Sequence, residues 1–257
     1  MKNEKPLILI SNDDGVSAKG LRVLVETLSG LGEIVVMAPD GPRSGASGSI
    51  TSELPVRYYK VSEEQDLTVY KCTGTPVDCV KLALFELLPR CPDLVIGGIN
   101  HGDNSSVNVH YSGTMGVVLE GCIKGIPSIG FSLCDHAADA DFQPMLPFVR
   151  RIVVETLEKG LPRGVCLNVN APSAKSYQGV RVCRQAKGDW SNEWECCQHP
   201  RGGEYYWLTG RYDTEEPQSE DTDYWALKHG FIAITPIQVD MTAYAVMDEL
   251  NNWNLDI

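Results

Sequence analysis

The chain has 257 residues, 43% of them hydrophobic and 22% charged, enough apolar material to bury a full core without disulfides or a structural metal. Its 34 acidic residues against 22 basic ones leave a net charge of −12, which argues against nucleic-acid polymers and anionic membranes as partners, because both attract Lys/Arg patches. A small phosphorylated substrate stays compatible, provided a cation or a ring of backbone amides offsets the local repulsion.

In chain order, Leu7–Ile10 is a short continuous apolar run, which predicts a buried parallel strand ending at Ser11-Asn-Asp-Asp-Gly15. That run is too short for a signal-peptide core and no later stretch reaches membrane-spanning length, so a cytoplasmic location is expected. Leu21, Leu24, Leu28 and Leu31 then mark one face of a helix, followed by a strand at Ile34–Met37. This is the strand–helix–strand crossover that opens a doubly wound sheet. Thr75-Pro-Val-Asp78 is a helix start, with Thr75 as cap, Pro76 in the first helical position and Asp78 in the positive first turn. Its apolar face is Val77, Val80, Leu84 and Leu88, and Pro89 follows its end.

Further on, the pattern predicts a strand at Asp93–Ile96, a helix at Thr114–Lys124, a strand at Pro127–Ser132, a helix at Pro144–Lys159 and a strand at Gly164–Val169. The alternation is that of a three-layer α/β/α domain with a mostly parallel sheet. Beyond about Gly179 the pattern changes. Arg181–Arg184 and Tyr205–Leu208 read as strands around a polar segment holding Trp190, Trp194, Gly202 and Gly203. A hairpin or extended arm at about 184–212 is expected; exposed aromatics suit an oligomer contact, and a plain edge hairpin would give the same pattern. Thr222–His229 predicts a short helix and Phe231–Pro236 a returning strand. No repeat, low-complexity tract or linker divides the chain, so a single domain over 1–257 carrying that arm is expected. The nine cysteines are scattered, with no C-x-x-C, and read as buried reduced thiols rather than a disulfide or zinc framework.

In an open parallel sheet, ligands bind beyond the carboxyl ends of the strands. A dinucleotide site would place G-x-G-x-x-G after the first strand, whereas here stand two adjacent carboxylates, Asp13 and Asp14. They would repel phosphate unless a cation lay between them, and two hard oxygen donors suit Mg²⁺ or Mn²⁺. Taken alone, Asn-Asp-Asp-Gly is equally a plain turn. The loop Gly41–Ser49 adds hydroxyls, Ser44 among them, and glycines that allow close backbone approach. Asn100 adds a neutral oxygen from a third strand end, with Gly102 and Asn104 extending the rim. Ser112-Gly113-Thr114 precedes a helix, so free N–H groups and hydroxyls would face an anion, or Ser112 is a simple cap. Together these segments suit metal-assisted phosphoryl transfer. His101 and His110 fall in the same rim and read as structural or solvated. No Walker A sequence, G-x-S-x-G elbow or H-E-x-x-H competes.

Four blocks in order carry a resemblance: Ile10-Ser-Asn-Asp-Asp-Gly15, Ala38-Pro-Asp with Ser44-Gly, Gly97-Gly-Ile-Asn-His-Gly-Asp-Asn104, and Tyr111-Ser-Gly-Thr114. With the tail Ile234-Thr-Pro-Ile-Gln-Val-Asp240, they resemble the SurE family of stationary-phase survival proteins, 5′/3′-nucleotidases, from about Pro6 to Ala245. The resemblance implies a Rossmann-like body with a swapped C-terminal arm, assembled as homodimers or homotetramers. It also implies one divalent metal ion at Asp13, Asp14, Ser44 and Asn100. A phosphate site lined by Asn12, Asn104, Ser112, Gly113 and Thr114 follows by the same correspondence. Three positions depart from the family pattern: Asp103 where Ala is frequent, Met115 where Val or Ile is, and Tyr244 where some members carry His.

The expected activity is therefore hydrolysis of nucleoside 5′- and 3′-monophosphates, with Asp13 or Asp14 orienting or deprotonating a water. Arg43 and Lys124 are isolated, so no second basic cluster is available for a β- or γ-phosphate, and monophosphates should be preferred. No base-reading motif is visible, which predicts modest discrimination among bases. The alternatives are a broader-specificity phosphatase, a phospho-aspartate enzyme, a non-catalytic nucleotide sensor and a structural oligomer built on the Trp-rich arm. The phospho-aspartate route usually needs D-x-D spacing, and the oligomer leaves the polar loops unexplained.

Overall fold

The computed structural model describes residues 5–253. The first apolar run forms β1 (Leu7–Ser11), buried along its whole length, and is followed by α1 (Lys19–Leu28) and β2 (Glu33–Pro39). Helix α1 buries Leu21, Leu24 and Leu28 as its 3.6-residue period requires. Next comes a hairpin that the sequence pattern did not predict, β3 (Tyr58–Glu64) and β4 (Leu67–Cys72). Strand β3 is exposed along most of its length and carries Lys60, Glu63 and Glu64, so it shows neither an apolar run nor clean alternation. Its tight loop places Asp66 at φ +62°, a conformation that Asp tolerates.

Helix α2 (Pro76–Leu82) opens with a full capping box: the Asp78 N–H donates to Thr75 Oγ1 (3.1 Å), and the Thr75 N–H donates to Asp78 Oδ2 (2.8 Å). The expected regular helix to Leu88 instead widens into a π-turn at Ala83–Leu87, closed by the Leu88 N–H on the Ala83 carbonyl. The rewinding keeps Leu84, Leu87 and Leu88 against the core and leaves Phe85 in solvent. Then follow β5 (Leu94–His101), a 3₁₀ turn at Ser106–His110, α3 (Gly113–Ile123), β6 (Ser128–Cys134), α4 (Leu146–Lys159), β7 (Val165–Pro172) and β8 (Gly179–Val182). The arm consists of β9 (Gly188–Ser191), β10 (Trp194–Gln198), β11 (Glu204–Leu208) and β12 (Arg211–Thr214). It returns through α5 (Asp223–Lys228) to β13 (Phe231–Gln238), and a short α6 (Met247–Asn251) follows.

Nine strands make one sheet in the order β3-β4-β2-β1-β5-β6-β7-β13-β8. From β4 to β7 every pairing is parallel; β3 on β4 and β13 on β7 are antiparallel. Helices cover both faces. Leu21, Leu24 and Leu28 of α1 and Val149 and Val153 of α4 pack with Ile8, Ile10, Ile96 and Phe131 in one core. Val80 of α2 and Val117 of α3 pack with Leu7, Leu9, Val95 and Met37 in the other. The fold is thus the expected α/β/α arrangement. The arm is two successive two-stranded ribbons, β9–β12 at its root and β10–β11 at its tip. All nine cysteines are free thiols. Cys72, Cys79, Cys122, Cys166 and Cys183 are buried as expected, while Cys91 and Cys196 are exposed. Among the described residues no helix is long and apolar enough to cross a membrane.

Candidate active site

Strand β1 is central, and the chain departs from it in two directions. It crosses to β2 on one side and, after β4 and α2, comes back to β5 on the other. The loops beyond β1 and β5 diverge at that point, which opens a crevice between them. Asp13 stands at its base and is only 5% exposed. The N-terminus of α3 is pressed against it, with the Thr114 hydroxyl donating to Asp13 Oδ1 at 2.6 Å. Gly113 makes this approach possible, since a Cβ there would lie 2.7 Å from Asp13 Cβ. Ser112 caps the helix, its Oγ accepting from the Met115 N–H at 2.9 Å.

Burial is the main influence on Asp13. It pushes the carboxyl up to about 6, with the Asp14 charge adding to the rise and the Thr114 hydrogen bond opposing it. Asp14 is raised too, again chiefly by burial, against a hydrogen bond from the His101 N–H to its Oδ2 at 3.4 Å and the nearby rings of His101 and His136. Buried Asp13 and half-buried Asp14 have no Lys or Arg among the groups acting on them, so the pair is short of positive charge. The oxygens around it are hard donors. Asn100 donates its Nδ2 to the Gly102 carbonyl (2.8 Å), which leaves its Oδ1 for another partner, and the Ser44 hydroxyl comes from the loop after β2. That loop is fixed by the Arg43 N–H on the Asp13 carbonyl (2.7 Å) and by the Ser47 N–H on the Tyr111 carbonyl (3.2 Å). Carboxylates with neutral oxygens are what Mg²⁺ or Mn²⁺ binds, so the residues fit the group that the sequence pattern implied.

Asp13, Ser44, Asn100, Asn104 and Ser112 all line one cleft of about 570 Å³. Four expected residues take other positions. Asn12 turns inward, its amide donating to the Gly15 carbonyl (3.1 Å) and accepting from the Gly15 N–H (3.2 Å), so it shapes the acidic loop. Asp14 meets the His101 N–H, and Gly113 and Thr114 act on Asp13. Asn104 is itself anchored: its N–H donates to Asn170 Oδ1 (2.8 Å), its Nδ2 to Ser132 Oγ (2.8 Å), and its carbonyl accepts from Asn168 Nδ2 (2.7 Å). His101 lies in the rim, edge-on to Phe142 at 4.9 Å. His110 offers its backbone carbonyl to the Ser47 hydroxyl at 2.6 Å.

The sequence model of the family described as Survival protein SurE matches residues 8–192. The chain belongs to the SurE family. It is 70% identical over 257 residues to a protein of Phocaeicola vulgatus named 5′-nucleotidase SurE, with 100% of both chains covered. A protein of the same name from Caldanaerobacter subterraneus subsp. tengcongensis is 39% identical, covering 98% of this chain and 99% of its own. The crystal structure of the SurE protein from Aquifex aeolicus superposes with a TM-score of 0.83 at 36% identity, covering 96% of this chain and 98% of that one.

In this SurE chain the cleft is also lined and braced by residues that sequence reasoning passed over. Asn168 and Asn170 are buried polar residues inside β7, and polar side chains at the carboxyl end of a core strand were the available signal. Asp223, 1% exposed, accepts from the N–H groups of Ser106 (2.8 Å) and Ala186 (2.9 Å), tying the loop after β5 to the root of the arm. His136 enters from the loop after β6 and packs on Gly102. Trp190, Tyr212 and Tyr224 close the cleft from the arm and α5. Nothing local in the sequence placed these four beside β1. Of the departures from the family pattern, Asp103 accepts from Asn108 Nδ2 at 2.6 Å, and the Tyr244 hydroxyl donates to Asp240 on an exposed segment away from the cleft.

Proposed function

We propose that this cleft hydrolyses nucleoside 5′-monophosphates, and 3′-monophosphates with them, to nucleoside and phosphate. The observation that carries the proposal is Asp13, a buried carboxyl beside Asp14 at the switch point of the sheet, held by Thr114 and lacking a cationic partner of its own. The names of the full-length relatives support the nucleotide as substrate. One divalent cation, Mg²⁺ or Mn²⁺, would be held by Asp13, Asp14, Ser44 and Asn100. When bound it supplies charge neutralisation for the phosphoryl oxygens and a more acidic water.

The protein's own groups do the rest. Thr114 keeps Asp13 in one orientation, so that Asp13 or Asp14 orients the attacking water and accepts its proton. The Ser112 hydroxyl and Asn104, anchored by Asn168, Asn170 and Ser132, face the phosphoryl group and hold it in line. Few cationic groups surround the cleft, so further phosphates would meet repulsion. A phosphate-release assay over AMP, GMP, CMP, UMP, ATP and p-nitrophenyl phosphate tests the proposal, with Mn²⁺, Mg²⁺ and EDTA in parallel. Monophosphates should lead in kcat/KM and EDTA should abolish turnover. ATP as best substrate, or full activity in EDTA after dialysis, would overturn it.

The same reading includes a homodimer or homotetramer. The arm tip supports it: Trp194, Tyr206 and Leu208 are each more than half exposed, and the cross-strand pairs Trp194–Leu208 and Cys196–Tyr206 put them on one face. A second copy of the chain is the partner proposed to cover that face.

A further inference from the structure

We infer that the wall of the cleft opposite Asp13 is a stacking platform for the nucleobase, held in place by a hydrogen-bond chain from Asp103; this rests on the nucleotidase reading above. The cleft runs without a break from Asp13, Ser44 and Asn100 to Trp190, Tyr212 and Tyr224. Its volume of about 570 Å³ lies in the range of sites that enclose a whole small molecule, well beyond the needs of a phosphoryl group. Its lining combines the polar groups of Asp13, Ser44 and Asn100 with the aromatic rings of Trp190, Tyr212 and Tyr224. A nucleoside monophosphate has the same combination, with a planar π-system at the end remote from its phosphate.

The aromatic wall is fixed in position. Trp190 and Tyr212 meet edge to face, with ring centroids 6.2 Å apart, and Tyr212 meets Tyr224 at 5.9 Å. The Trp190 indole Nε1–H donates to Asn108 Oδ1 at 2.8 Å, and Asn108 Nδ2 donates to Asp103 Oδ1 at 2.6 Å. Asp103 follows β5, whose end carries Asn100, so the chain Asp103–Asn108–Trp190 ties the arm to the polar floor. Both polar atoms of the Asn108 amide are used, which sets the plane of the indole relative to β5. An Ala at position 103 could not accept the Asn108 hydrogen bond. Asp103 and Asn108 are positioning residues, and Trp190 is the platform they position. Stacking accepts every base, because each has a π-face, and the larger purines gain most.

The experiment compares AMP with ribose 5-phosphate, which keeps the phosphoester and the sugar and lacks the base. Wild type should favour AMP by more than about tenfold in kcat/KM, and adenosine should inhibit ribose 5-phosphate hydrolysis competitively. Trp190→Ala should reduce the AMP to ribose 5-phosphate ratio about tenfold, mainly through KM for AMP, while Trp190→Phe retains most of it. Asp103→Ala should lower the ratio less, and Asp103→Asn, whose Oδ1 can still accept from Asn108, should restore it. Calorimetric binding of adenosine, which brings no phosphate to the acidic pair, to wild type and Trp190→Phe, in EDTA, reads the platform without turnover and without the risk that the Ala variant misfolds. Equal kcat/KM of wild type for AMP and ribose 5-phosphate, no binding of adenosine to wild type, or an unchanged ratio in folded Trp190→Ala, overturns the platform alone. Base-dependent binding without phosphate release from either compound overturns the nucleotidase reading and leaves the platform standing.

Discussion

Two adjacent carboxylates stand at the end of the first strand, and the burial of Asp13 has a thermodynamic signature. Asp13 titrates near 3.8 when the chain is unfolded and is raised to about 6 in the fold, mainly by burial. The folded state therefore holds its proton more tightly, and the metal-free protein loses stability as the pH rises from about 4 to about 6. A difference of that size between the two states corresponds to about 3 kcal/mol. Asp13→Asn keeps an oxygen for the Thr114 hydroxyl without the charge. In EDTA at pH 7 it should melt several degrees above wild type, with the gap closing towards pH 4, and it should lose nearly all turnover. A gap that ignores pH would refute the argument. Gly102 gives a second residue-scale test. It sits at φ +103°, and a Cβ there would lie 2.1 Å from His136 Cε1. Gly102→Ala must move either the ring or the turn between Asn100 at the end of β5 and Asn104, so kcat/KM should fall by at least about tenfold, with the melting temperature lowered as well. At this scale the gathering of Asp13, Ser44 and Asn100 at one cleft was legible because strand ends in a parallel sheet point to one edge. Asp223, His136 and Trp190 were not, since only the tertiary fold brings the loop after β6 and the arm to that edge.

Among the elements, α2 shows how local signals succeed and where they stop. Thr75, Pro76 and Asp78 mark its start, and Thr75 caps it as expected, with the return bond to Asp78 completing a capping box. The π-turn that follows has no comparable local mark. Asp78 also accepts from the Thr51 hydroxyl and N–H, so it ties the loop before β3 to the helix. Burial alone would raise its carboxyl, but the hydrogen bonds from Thr51 and Thr75 outweigh that and hold it below the ordinary carboxylate range. Its stabilisation is present above the unfolded pKa and is lost as the pH falls through the lower folded value. Asp78→Ala should cost about 1–2 kcal/mol in urea unfolding at pH 7 and less at pH 3. A cost independent of pH would mean that packing, not the ionised cap, is what matters. The parallel core strands were readable as apolar runs, whereas β3 and β4 were not, because an edge hairpin facing water carries charges on the face that would otherwise show a pattern.

For the whole molecule, the arm was legible as an excursion from its change of composition, and its division into two ribbons was not. The tip of the arm presents Trp194, Tyr206 and Leu208 to solvent on one face. Replacing Trp194 and Tyr206 together by Asp should reduce the mass measured by light scattering at micromolar concentration, with the far-UV circular dichroism unchanged. Wild type should be a dimer or larger, and a monomeric wild type would contradict the assembly proposed for this face.

The contact between Thr114 and Asp13 spans 101 residues of sequence. Strand β1 leaves the ribosome early, yet its neighbour β5 and the helix that seats its carboxylate are made much later. Parallel pairing across such distances forms slowly, since the intervening chain must first be closed into a loop. A nascent chain of about one hundred residues already contains both aspartates and has nothing to orient them. The seat of Asp13 is thus completed only once α3 has been synthesised and docked, and with the role proposed for Asp13 the growing polypeptide would stay hydrolytically silent until that step.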